Sequence, residues 1–143
     1  MSNLQINSPV LGNLFYNAEL DCYKEEINLG EVSIRLILES DGETSTEGSL
    51  NKAVDILPQL THYIEVTKQY AVEQLLKLKN NSWLEEDEEP VSSQAFKELM
   101  VLNCLVFYPN GEITFYYDDN DLFAGHQIAI TIDKDNHFVH ANI

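Results

Sequence analysis

Residues 49–81 read SLNKAVDILPQLTHYIEVTKQYAVEQLLKLKNN. Leu50, Val54, Leu57, Leu60, Ile64, Thr67, Ala71, Leu75 and Leu78 recur at spacings of three and four, the period of one helix face. Only Thr67 among them is polar. Ser49 is the expected N-cap, and Asn80-Asn81 the expected left-handed stop. Pro58 falls inside the stripe, where its ring removes a backbone bond and crowds the preceding turn. The spacing therefore predicts either a kink or two helices meeting near Leu57-Pro58.

Strands dominate the reading on either side of this stripe. Upstream, residues 1–9 look like a loose lead-in ending at Pro9. Val10 to Tyr16 reads as a short strand with a bulge at Gly12-Asn13, and Leu20 to Tyr23 as a second. Leu29-Gly30 reads as a hairpin turn. Val32, Ile34, Leu36 and Leu38 then alternate with Ser33 and Arg35, the period of a half-buried strand. Ile37 breaks the alternation, so that end is expected to be covered on both faces. Asp41-Gly42-Glu43 closes the unit.

Downstream, Pro90 stops any helix, and Ser92 or Ser93 is placed to cap a short helix through about Met100. Val101 to Tyr108 is a strand, and Pro109-Asn110-Gly111 a turn. Ile113, Phe115 and Tyr117 share one face of the next strand. Asp118-Asp119-Asn120-Asp121 is a polar turn. Leu122 to Ile132 reads as one long strand and Phe138 to Ile143 as a last one. Strands, then helices, then strands predict a single α+β domain over 1–143, with a largely antiparallel sheet and helices packed on one face.

The chain of 143 residues carries a net charge of −16. That excludes nucleic acid, whose phosphates need a basic footprint, and anionic membrane. It permits a basic protein partner, which such a field would steer into contact. The excess lies outside the helical stripe: residues 47–80 hold four acids and four lysines. No apolar run reaches membrane-span length. The first residues lack a basic n-region and an apolar h-region, so a cytoplasmic location is expected. Cys22 and Cys104 form no CxxC pair and read as two buried thiols.

Two segments offer chemistry. Trp83 is followed by the acidic run Glu85, Glu86, Asp87, Glu88 and Glu89. It is either a docking surface for a cationic partner, with Trp83 as an aromatic anchor, or a solvated loop whose tryptophan packs a helix end onto the sheet. Asp118, Asp119, Asp121 and His126 form the second group. Oxygen donors with one imidazole suit Mg²⁺, Mn²⁺ or Ca²⁺ better than zinc. The twelve-residue calcium-loop pattern is not matched, and Asp, Asn and Gly125 are also ordinary turn formers. There is no GxSxG elbow, no cysteine–histidine arrangement and no glycine-rich phosphate loop, so no catalytic residue is assigned and no cofactor is expected unless a divalent metal sits at this cluster.

LKLKNNSWLEEDEEP at 76–90, Phe96, and FYYDDNDLFAGHQI at 115–128 resemble the bacterial domain family of unknown function DUF2262. The resemblance covers most of the chain and is strongest from about Leu75 onward. The family pattern favours glycine where Asn120 stands and tryptophan where Ala124 stands. The family carries no established activity. In size, charge and α+β class the chain is similar to immunity proteins that neutralise bacterial toxins, an analogy of general character. The favoured reading is therefore an acidic binder of a basic protein such as a toxin. A metal-dependent enzyme or metal-binding module at Asp118/Asp119/Asp121/His126 is the alternative. A third reading is a homodimer paired through the edge strand 138–143.

Overall fold

A computed structural model describes the backbone of residues 5–8, 12–17, 22–29, 32–39, 47–84 and 86–143, and the side chains of 33–39, 52–84 and 86–143. The strands are β1 (Gln5–Ser8), β2 (Gly12–Asn17), β3 (Cys22–Leu29), β4 (Val32–Glu39), β5 (Val101–Phe107), β6 (Ile113–Asp118), β7 (Ile128–Ile132) and β8 (Phe138–Asn142). They form one sheet in sequence order. Every pairing is antiparallel except β4–β5. That parallel join is bridged by α1 (Glu47–Ile56), a 3₁₀ turn (Leu57–Gln59), α2 (Leu60–Ser82) and α3 (Ser93–Leu99), because parallel neighbours need a long crossover. The molecule is thus an α+β domain with a mostly antiparallel sheet.

The alternating strand residues all reach one face. Ile34, Leu36, Leu38, Leu105, Phe107, Ile113, Phe115, Tyr117, Ile128, Ile130 and Ile132 share a core with Ala53, Ile56, Leu60, Ala71, Val72, Leu75 and Phe96 of the helices. The other face of the sheet carries Arg35, Cys104, Tyr116 and the hydrogen-bonded pair Thr114–Thr131, 2.9 Å apart. Cys104 is buried there and Ile37 is half-buried beside buried Val106. The side chain of Cys22 lies outside the described residues.

Pro58 does what its chemistry requires: it sits at the start of the 3₁₀ turn, and two helices meet there. The break shifts the phase of the stripe. Ala53 and Ile56 are buried before it, whereas Val54 is 39 % exposed. Ser49 lies inside α1 rather than capping it. At the far end α2 continues to Ser82 with right-handed geometry at Asn80-Asn81, and the buried position is Lys79, with Leu78 exposed.

Three other expectations are corrected. Residues 1–9 include a strand, because Gln5–Ser8 pairs in register with Gly12–Phe15. Gly12-Asn13 is regular within that register and makes no bulge. Leu122–Ile132 is not one strand: β7 begins only at Ile128. Ser92 caps α3 as expected, its Oγ accepting from the Ala95 N–H at 3.1 Å. Gly111 closes the 109–111 turn at φ 92°. The turns expected at Gly30 and at Asp41–Glu43 lie outside the described residues. Among the described residues, no helix is long and apolar enough to cross a membrane.

Thr67, the one polar residue of the stripe, explains itself in the core. Its hydroxyl donates to the Tyr63 carbonyl at 2.6 Å and meets the fully buried Tyr117 hydroxyl at 2.5 Å. Burial pushes the Tyr117 phenol well above its ordinary value, with the Thr67 hydrogen bond opposing. A group with a raised folded pKa contributes stability that is fully present below its unfolded pKa, near pH 10, and lost as pH rises above it. Tyr117→Phe is therefore expected to cost about 1 kcal/mol at neutral pH. It should also flatten the alkaline loss of stability by up to about 1.4 kcal/mol per pH unit. Urea midpoints of both proteins on either side of pH ~10 measure this; parallel curves would refute it.

Candidate functional site

The acidic run begins where α2 ends. Lys79, 1 % exposed, donates from Nζ to the Trp83 carbonyl at 2.9 Å and to Glu88 Oε1 at 3.0 Å. A buried ammonium needs such partners, since an uncompensated charge in the interior is costly. At the next residue, the Asn80 side chain brackets Val91, donating to its carbonyl at 3.0 Å and accepting from its N–H at 2.8 Å. The segment between is therefore fastened at both ends. Glu86, Asp87 and Glu89 are left exposed, while Glu88 is drawn in by Lys79. Glu85 lies outside the described residues.

The second segment folds around Asp119. This carboxylate is 1 % exposed. Oδ1 accepts the N–H of Asp121 at 3.1 Å, and Oδ2 accepts those of Phe123 at 2.8 Å and Gly125 at 3.1 Å. The chain is thereby wound into consecutive turns, with Asn120 at φ 46°, Asp121 at φ 67°, Ala124 at φ 56° and Gly125 at φ 89°. Left-handed geometry is uncommon outside glycine and strains an alanine most. Gly125 is thus required for its φ, not for close approach: a Cβ there would meet nothing within 4 Å. Asn120 also donates to the Leu99 carbonyl at 2.6 Å, satisfying the end of α3.

This winding buries two adjacent apolar residues, Leu122 and Phe123. A strand would point them to opposite faces. Phe123 sits edge-on between Phe96, with ring centres 6.1 Å apart, and Trp83, at 5.6 Å. The other edge of Trp83 meets the exposed His126 ring at 5.6 Å. Trp83 is half-buried, so it joins the helix end to the turn.

The two segments, about thirty residues apart in sequence, are therefore neighbours. A shallow pocket of about 580 Å³ lies between them, lined by Glu88, Leu99, Asn120, Asp121, Leu122 and Ala124. The structure does not gather Asp118, Asp119, Asp121 and His126 around one point. Asp119 is committed to backbone N–H groups, and Asp118, Asp121 and His126 are exposed. Among the described residues, no group of three or more His, Cys, Asp and Glu side chains is placed to hold a metal ion. Sequence reasoning missed Lys79, Asn80 and Leu99. The available signal was a lysine at a core-facing helix position, four residues before the tryptophan whose carbonyl it binds.

A family model described as "Uncharacterized protein conserved in bacteria (DUF2262)" matches residues 8–143. No curated protein and no solved structure matches. With essentially its whole length matched, the chain belongs to the DUF2262 family of bacterial proteins.

Proposed function

We propose that this chain is an acidic protein-binding module. Its docking surface is the exposed side of the acidic segment, Glu86, Asp87 and Glu89, continued by Asp121 across the shared pocket. In its finer form the protein is an immunity protein of the bacterial cytoplasm that neutralises a basic toxin. The observation that carries the reading is the fastening of both acidic segments onto one support, by Lys79 and Asn80 on one side and by Asp119 on the other. Charges already held in place lose little side-chain and loop entropy on docking. Acids gathered at one end of a neutral helix also direct a basic partner's approach. Trp83 acts in this reading as the support beneath the surface, since it is half-buried and its ring packs against the buried Phe123.

The test is capture of partners from host lysate on tagged protein, in parallel with a Glu86→Lys/Asp87→Lys/Glu89→Lys variant whose fold is checked by circular dichroism. A basic protein is expected on the unaltered chain at about 50 mM salt, shed by about 500 mM, as screening of a charge-driven contact demands. The variant is expected to capture none of it. Co-expression then asks whether the captured protein is toxic alone and harmless with this chain. Equal capture by the variant, or capture indifferent to salt, would sink the proposal.

A further inference from the structure

The far edge of the sheet is unlike the rest of the surface. Residues 136–143, Asn-His-Phe-Val-His-Ala-Asn-Ile, contain no Asp, Glu, Lys or Arg in a chain of net charge −16. Phe138, Val139 and Ile143 are 38 %, 46 % and 36 % exposed, half of the large apolar side chains that stand exposed among the described residues. Among the described residues β8 pairs with β7 alone, leaving its outer row of backbone groups without a ladder. Natural sheets blunt such an edge with charges, proline or a bulge. Here there is a bulge at Val139, because His140 pairs with Thr131 and Phe138 with Ile132, but the charges are missing. The bulge also turns Phe138 to the helix side, where its ring stacks on Tyr70 with centres 4.1 Å apart. An apolar shelf thus borders the open edge.

We propose that β8 is a self-association surface and that its occupant is β8 of a second copy, paired antiparallel about a two-fold axis. An isologous contact of this kind sets the Phe138, Val139 and Ile143 patch of one copy against the same patch of the other. Two bodies of charge −16 repel over most of their surfaces, and this edge is where a second copy meets no acid on the strand itself. The acids bordering the edge are Asp133 and Asp135, in the 133–137 turn where the Lys52 ammonium binds the Asp133 and Lys134 carbonyls and the Asn136 side chain, and exposed Glu73, one helical turn along α2 from Tyr70. The acidic segment is farther away. From Tyr70, under Phe138, to the end of α2 at Ser82 is twelve residues, roughly 18 Å of helix, about two screening lengths at physiological salt. The area is small, so the contact is weak and concentration-dependent.

Sedimentation equilibrium of the full chain tests this, from about 10 µM to about 1 mM, the range expected of small interfaces. Mass is expected to rise toward the dimer with concentration, and more steeply at about 500 mM than at about 50 mM salt, because salt screens repulsion and leaves apolar burial intact. This dependence is opposite in sign to that of the acidic docking surface, so the two proposals fail separately. Val139→Lys is expected to weaken association about tenfold or more by placing like charges across the axis. Its melting temperature should be unchanged, since Val139 is exposed. A monomer at every concentration, association that falls with salt, or association untouched by Val139→Lys would each overturn the proposal.

Discussion

Asp119→Ala is expected to destabilise the protein by about 3–5 kcal/mol, lowering the melting temperature by about 10 °C or more. Three backbone N–H groups lose a charged acceptor at once. That of Phe123 lies deepest, on a residue with no exposure. A hydrogen bond to a charged group contributes about 1.5–3 kcal/mol. The three do not add fully, because the N–H groups of exposed Asp121 and Gly125 can turn to water. The loss spreads through packing: without the carboxylate, only the Asn120–Leu99 hydrogen bond and the backbone bonds of the turn offset the left-handed geometry at Asn120, Asp121 and Ala124, which is opposed by roughly 1–2 kcal/mol at the alanine and by less at the Asn and Asp. As the turns relax, Phe123 withdraws from between Phe96 and Trp83. Asp119→Asn keeps one acceptor oxygen and replaces the other by a donor, so about half the loss is expected. Asp118→Ala, an exposed neighbour, is expected to stay within about 0.5 kcal/mol. Chemical denaturation of the three variants checks the order. Equal effects at Asp118 and Asp119 would mean that the buried carboxylate does not hold the turn.

That contrast shows what the sequence could and could not reveal. The α+β class, the break at Pro58 and the inward faces of β4, β6 and β7 were legible, because hydrophobic period and proline chemistry are local properties. The acids at 118–121 were legible as a turn. Which of them goes inside was not, since all are turn formers and only the neighbouring Phe96 and Trp83 decide it. The adjacent pair Leu122-Phe123 was a missed sign, because an alternating strand cannot bury both on one face. The end of the helical stripe misled for a related reason: Leu78 is the apolar residue, but Lys79 occupies the inward position, and its stem buries while its head is met by Glu88. The meeting of two segments thirty residues apart is a tertiary fact that no window of sequence contains.

Lys79→Met gives the second large effect and separates charge from placement. The substitution keeps a long apolar stem but leaves the Trp83 carbonyl and Glu88 without the ammonium that joins them. Breaking a buried ion pair from one side costs about 3–5 kcal/mol; Glu88 is 32 % exposed, so about 2–3 kcal/mol is expected here. Trp83 is the single tryptophan, and its contacts with Phe123 and His126 sit at this junction, so its emission should shift to the red as the segment loosens. The chain would also become more negative by one charge. If acidity alone recruited a basic partner, Lys79→Met would bind more tightly. If fastened placement matters, it binds more weakly despite the added charge, because ordering the segment now costs free energy on docking. A gain in partner affinity would leave the net field as the sole basis of recognition, and the junction of α2 with the two acidic segments would then be a matter of stability only.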